Sequence, residues 1–121
     1  MTEFQRIVPV LKVADMPRAV AFYTGVLRFT IAWQAANDGG GENCMLQAGA
    51  ANLLLSTGAH LGDKPHFTGT LYFQMLGVRE FFERIQKQVE VVWPPEMMEY
   101  GQLECGIRDP DGYILAFAEG D

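Results

Sequence analysis

Apolar residues along this chain recur with two periods, and the switches between them divide it into elements. The first run, "RIVPVLKVAD", is rich in β-branched residues, with Pro9 near one end, and predicts a strand. In "DMPRAVAFYTGVL" the period lengthens: Met16, Val20, Tyr23 and Leu27 recur at helical spacing and would face a sheet. Asp15 supplies a helix N-cap, and Pro17 sits in the first turn, where its missing amide costs nothing. Three strand-like runs follow, "FTIAWQ" (29–34), "ENCMLQA" (42–48) and "NLLLST" (52–57). Gly39-Gly40-Gly41 separates the first two, and "AGA" the last two.

The second half runs in the same order. "GTLYFQM" (69–75) predicts a strand, and "VREFFERIQKQ" (78–88) a helix with Val78, Phe82 and Ile85 on one face. "VEVVW" (89–93), "GQLECGIRD" (101–109) and "YILAFAE" (113–119) predict three more strands, the last entered through the polar turn Asp109-Pro110-Asp111-Gly112. Adding 61 takes Arg18 to Arg79, Cys44 to Cys105 and Leu46 to Ile107, while Trp33 reaches Trp93 at 60. Together these matches mark an internal repeat. The expectation is an α+β fold: a single domain over 1–121, built of two tandem βαβββ modules (about 1–58 and 67–121, linker 58–66) that form a curved mixed sheet with helices on the outer face. A helix with one apolar face covers one side of its sheet only, so the other faces stay open and form a partly apolar trough.

Composition narrows the partners. With 49% hydrophobic and 20% charged residues, the chain matches an ordinary soluble globular protein. A net charge of −6 with no basic stripe argues against nucleic acid; it serves solubility in the first place and would also attract a cationic ligand. No apolar run reaches the ~20 residues of a membrane helix. "MTEFQRIVPV" lacks the basic start and apolar stretch of a signal peptide, so a cytoplasmic location is expected, with Cys44 and Cys105 as small core residues.

The "VADMPRAVAFYTGVL" run after the first strand and the closing "DPDGYILAFAE" resemble the vicinal-oxygen-chelate superfamily, which includes glyoxalase I, extradiol dioxygenases, fosfomycin-modifying enzymes and bleomycin-resistance proteins. In its metal-dependent members the resemblance implies His or Gln on the first and fifth strands and Glu on the fourth and eighth, all converging on one divalent ion. Here those positions hold Val8, Thr70, Leu55 and Ala116, and their neighbours are no better ligands. Glu119, three positions beyond Ala116, points to the opposite face. The chain is thus closest in character to the metal-free bleomycin-resistance-like members, with no cofactor implied.

An apolar trough without a metal is a binding cavity first. Ile114, Ala116 and Ala118 offer it small apolar surface, and Tyr72 and Gln74 share a face with Thr70, either to orient a ligand in the trough with a hydroxyl and an amide or as ordinary polar residues of a sheet. Trp33 and Trp93 close equivalent strands, either to stack on an aromatic or cationic ligand or to pack at an edge or a dimer contact. "PPEMMEY" (94–100) reads as a Met- and Glu-rich loop, with Glu96 and Glu99 available to a cation. Gln47 and Arg108 lie at strand ends, and the loop histidines His60 and His66 face solvent rather than chelate. No Ser or Cys has a nucleophile's setting. The expected function is metal-independent sequestration of a small molecule, a drug or a metabolite, by a homodimer with clefts shared between subunits, with no catalytic residue assigned. The alternatives are a divergent glyoxalase-like lyase or dioxygenase with an atypical metal site, and a subunit that only assembles with a partner protein.

Overall fold

A computed structural model of the chain describes residues 3–36 and 40–120; Gly39 of the triple-glycine break lies outside the described residues. The first module comprises β1 (Val10–Lys12), α1 (Met16–Ala21), β2 (Thr30–Ala36), β3 (Glu42–Ala48) and β4 (Ala51–Ser56). The second comprises β5 (Thr70–Gln74), α2 (Val78–Ile85), β6 (Glu90–Met97), β7 (Leu103–Arg108) and β8 (Ile114–Glu119). The mixed sheet is realised as two four-stranded sheets, ordered β1-β4-β3-β2 and β5-β8-β7-β6. In each, the strand before the helix pairs in parallel with the last strand and the other neighbours are antiparallel.

Local chemistry sets the helix ends. The Asp15 carboxylate accepts from the Arg18 amide at 3.0 Å and caps α1. The predicted helix to Leu27 stops being α-helical at Ala21 and continues as a π-helical turn over Phe22–Val26, where the Leu27 amide donates to the Phe22 carbonyl at 3.2 Å. Thr24 Oγ1 donates back to the Val20 carbonyl at 2.7 Å, and Gly25 follows, two features that loosen an α-helical ladder. The wider turn buries Phe22 and Tyr23 together, their rings edge-on at 5.4 Å. At α2 the N-cap is Gly77, which has no side chain, and the Glu119 carboxylate from the end of β8 accepts from the Val78 amide at 2.9 Å instead. Glu119 therefore faces the helix.

Two extents differ from the sequence reading. β1 is only three residues long, because Pro9 has no amide to donate, although its carbonyl still accepts from Leu54. β6 runs through Pro94 and Pro95 to Met97, so the expected 94–100 loop is strand for half its length. β6 is an edge strand whose register shifts between Trp93 and Glu96, and an edge with a bulge is where prolines fit a sheet. A second shift, between Val91 and Trp93, has its counterpart between Ile31 and Trp33 on β2.

One apolar cluster runs through both modules, with Leu11, Leu46, Leu53 and Leu55 from the first and Val78, Ile85, Ile107 and Leu115 from the second. Tyr23, Phe29, Phe73 and Phe117 form a chain of ring contacts across the junction, with centroids 5.7, 6.1 and 5.2 Å apart. The 109–112 turn clamps the modules together. Tyr23 Oη donates to Asp109 Oδ2 at 2.8 Å, and the Ala14 amide and Arg18 Nη2 both donate to Asp111 Oδ1. Asp109 Oδ1 accepts from the amides of Asp111 and Tyr113, which holds the turn rigid.

Candidate functional site

Alternation along the strands fixes what the helix-free faces carry. On the second sheet, register places Tyr72, Ala116, Gly106 and Trp93 in one row across all four strands. The matching row on the first sheet is Val10, Leu54, Met45 and Trp33. The two rows differ in bulk. The first is filled by large side chains, whereas the second has an aromatic ring at either end and two of the smallest residues between them.

Those small residues are covered by the protein's own rings. Trp93 lies against Gly106, where an added Cβ would stand 2.5 Å from the indole ring. Tyr72 reaches across to β7 and donates to Glu104 Oε1 at 2.9 Å, although Glu104 lies two strands away in the next row. Ala116 is consequently 1% exposed despite facing the open side. Glu104 is only 5% exposed and also accepts a hydrogen bond from Tyr100 Oη, which arrives from the β6–β7 turn. Its neighbours in that row are Ala118 and Glu96, so two carboxylates stand side by side. Burial together with the bond to Glu104 raises the Tyr72 phenol above its ordinary pKa, and Tyr100's own bond to Glu104 is the main cause of a rise there. Among the described residues the Trp93 Nε1–H finds no acceptor.

The second sheet's open face therefore brings together Thr70, Tyr72, Gln74, Trp93, Glu96 and Ala116. Trp33 stands apart on the first sheet, 45% exposed, and Glu99 lies in the exposed turn after β6. The sequence reading missed Glu104. Its signal was there: a charged residue inside the run Leu103-Glu104-Cys105-Gly106-Ile107, on the side opposite Cys105 and Ile107, which are core residues.

The fourth-strand position assigned to Leu55 needs correction. Cys44 pairs with Leu55 as Cys105 pairs with Phe117, and Leu55 is fully buried in the core. The open-face counterpart of Ala116 is Leu54, because the β7–β8 connection is one residue longer than its partner in the first module. Val8, Leu54, Thr70 and Ala116 offer a divalent ion one hydroxyl and hydrocarbon, which does not fit the superfamily's metal. Among the described residues no three His, Cys, Asp or Glu side chains gather to hold a metal ion. His60 and His66 are both exposed in the linker. Cys44 and Cys105 are buried free thiols, and burial with the nearby Glu104 charge pushes Cys105 up to about 11. Gln47 is held by Asn52 at 3.0 Å and Arg108 pairs with Glu90 at 2.8 Å, both at strand ends.

The expected single trough is not closed within one chain. Among the described residues no strand pairing joins the two sheets, and β1 and β5 each stand at a sheet edge. Among the described residues no helix is long and apolar enough to cross a membrane.

Solved structures share this architecture. TnmS3, an antibiotic binding protein from Streptomyces sp. CB03234, is 17% identical over 100% of this chain and 99% of its own, with a TM-score of 0.78. The bleomycin-binding protein from Streptomyces verticillus, solved with copper(II)-bleomycin, is 21% identical over 100% of both chains, with a TM-score of 0.70. A glyoxalase I mutant from Zea mays is 21% identical over 94% of this chain but only 44% of that one, with a TM-score of 0.79. At these identities the likeness shows the fold alone. No curated protein matches the chain. The model of the family described as "Glyoxalase superfamily protein" matches residues 1–121, and on that match, with the two βαβββ modules and the 109–119 turn and strand, the chain belongs to the glyoxalase superfamily.

Proposed function

We propose that this protein is a metal-independent binder of a small, flat, cationic molecule, which it sequesters rather than transforms. One observation carries the reading: where metal-dependent relatives hold an ion, the row Tyr72–Ala116–Gly106–Trp93 offers two aromatic rings over a floor of small residues, beside the nearly buried Glu104 carboxylate. A planar ligand enters by parting the two rings and stacking on Trp93, with its cationic group on Glu104 and Glu96. The Trp93 Nε1–H, unpartnered among the described residues, donates to a ligand acceptor. Thr70 and Gln74, at either side on β5, orient it. That similar folds include an antibiotic binding protein and a bleomycin-binding protein supports the class of ligand.

In this reading the two modules act as one domain, and a second copy completes the cleft. Phe4 and Ile7 are 95% and 88% exposed beside the β1 edge, and the β5 edge has no strand partner among the described residues. Buried, protonated thiols suit a reducing, cytoplasmic setting.

The test is a thermal-shift and fluorescence screen of cationic glycopeptides, cationic planar aromatics and 2-oxo compounds, with and without chelator, alongside metal analysis and sedimentation. A cationic aromatic that raises Tm, quenches Trp93 and is indifferent to chelator is the expected result. A stoichiometric divalent ion whose removal abolishes binding or turnover of a 2-oxo compound would overturn it in favour of a lyase or dioxygenase.

A further inference from the structure

Where the modules meet lies a cavity of about 240 Å3 that touches the open face only at Gln74. Leu27 and Phe29 line it from the first module, and Phe73, Met75, Phe81 and Phe117 from the second. An apolar cavity of ~150 Å3 holds a benzene ring, so this one has room for a ring and a short chain. Its wall carries one charge. Arg84, on α2, is fixed there by two contacts: Nη1 donates to the Val26 carbonyl at 3.0 Å, and the guanidinium lies 5.4 Å from the centre of the Phe81 ring.

Arg84 has no anionic partner among the described residues. The ion pairs among the described residues are Arg18–Asp111 and Arg108–Glu90, and neither involves α2 or the π-helical turn. Arg28, one residue beyond that turn's C-cap, is likewise without an ion pair or hydrogen bond among the described residues. The two cations sense each other: partial loss of hydration first, and then the Arg28 charge, make Arg84 easier to deprotonate than an ordinary arginine. A guanidinium without an acidic partner among the described residues, at the wall of an apolar hollow, suits an anion with a hydrocarbon body. The chain's net −6 opposes anions at long range, but within a Debye length of ~8 Å the local pair dominates.

We propose that this cavity is a second binding site, for a small apolar monocarboxylate of the arylalkanoate type. Its ring lies among Phe29, Phe73 and Phe117, and its carboxylate is held by Arg84 with Arg28 beside it. The site borders the open face at Gln74 and needs neither a metal nor the second copy.

The probe is 3-phenylpropanoate, with 3-phenylpropan-1-ol as the uncharged control, followed by the NMR signals of 13C-methyl methionine. Met75 lines the cavity and Met45 stands on the first sheet's open face, so the two methyls report separate places. The expected result is a saturable shift of Met75 with Met45 unmoved, and binding of the alcohol weaker by about tenfold or more. Arg84→Gln is expected to weaken the acid to the level of the alcohol, and Arg28→Gln to weaken it by about threefold, a milder loss because Arg28 does not line the cavity. Three outcomes overturn the proposal: equal affinity for acid and alcohol, a shift at Met45 alone, or a Met75 shift that follows protein concentration without any acid, which would make the hollow a contact between copies. Because Arg84 and Arg28 are both exposed, neither variant is expected to lower Tm by more than a degree or two.

Discussion

The indole of Trp93 rests on the backbone of Gly106, so close that a Cβ there would lie 2.5 Å from Cη2 and Cζ3 of the ring. Any side chain at 106 must displace the ring. Trp93 stands on an edge strand and is only part-buried, so the ring swings outward instead of forcing strands apart. Gly106→Ala is expected to cost about 1–3 kcal/mol and to shift Trp93 emission to the red, read in a Trp33→Phe background. Combining it with Trp93→Leu should cost less than the sum of the two, because the clash is then already gone.

Glu104 holds Tyr72 and Tyr100 through one carboxylate oxygen. Both phenols should therefore ionise above the ordinary tyrosine range, and Glu104→Gln should bring both down, since an amide accepts more weakly and carries no charge. Alkaline titration of ring-labelled tyrosine checks this. Unchanged titration in the variant would mean that the two hydroxyls are not held as described. The same variant should weaken a cationic ligand by roughly tenfold or more.

Asp109 and Tyr23 give stability a pH signature. Burial raises the Asp109 carboxyl above its ordinary 3.8, against the lowering effect of the Tyr23 bond. A carboxyl with a raised folded pKa is most favourable to the fold in its protonated form, so its contribution falls as pH climbs from 3.8 through the folded value. Tyr23→Phe removes a bond made to the charged form and should cost about 1.5–3 kcal/mol at pH 7 but distinctly less below that window. Urea melts at several pH values would show it.

Glu119 behaves in the opposite sense. Its bonds from the Val78 and Gly77 amides lower its pKa below 4.5. Its contribution is thus complete above 4.5 and is lost as pH falls through the folded value. Glu119→Gln should lower Tm at pH 7, and the gap to the parent protein should close in acid. A gap that persists in acid would mean that the carboxylate caps α2 without its charge mattering.

The strands and helices were legible because alternation and helical spacing are local, and Asp15 and Pro17 announced α1 directly. The π-helical turn was not, because it depends on how Tyr23 is held by Asp109 from the far end of the chain. Pro94 and Pro95 signalled a loop, since a proline's effect on a strand depends on whether that strand is an edge, a fact of topology. Leu55 was placed on the wrong face by the repeat, which carries a one-residue difference between β4 and β8 that only register reveals. Glu104 was overlooked for a related reason: its partners Tyr72 and Tyr100 come from a different strand and a turn, and nothing in the spacing connects them.

The bare flank of β5 has a consequence for handling the protein. Thr70-Leu71-Tyr72-Phe73-Gln74 holds no charge and no proline, whereas β1 has Pro9 and Lys12 to blunt it. An uncharged, aromatic-rich ribbon with no strand partner among the described residues invites cross-chain zippering, so concentrated stocks of this protein should clump unless a charge is placed on that ribbon.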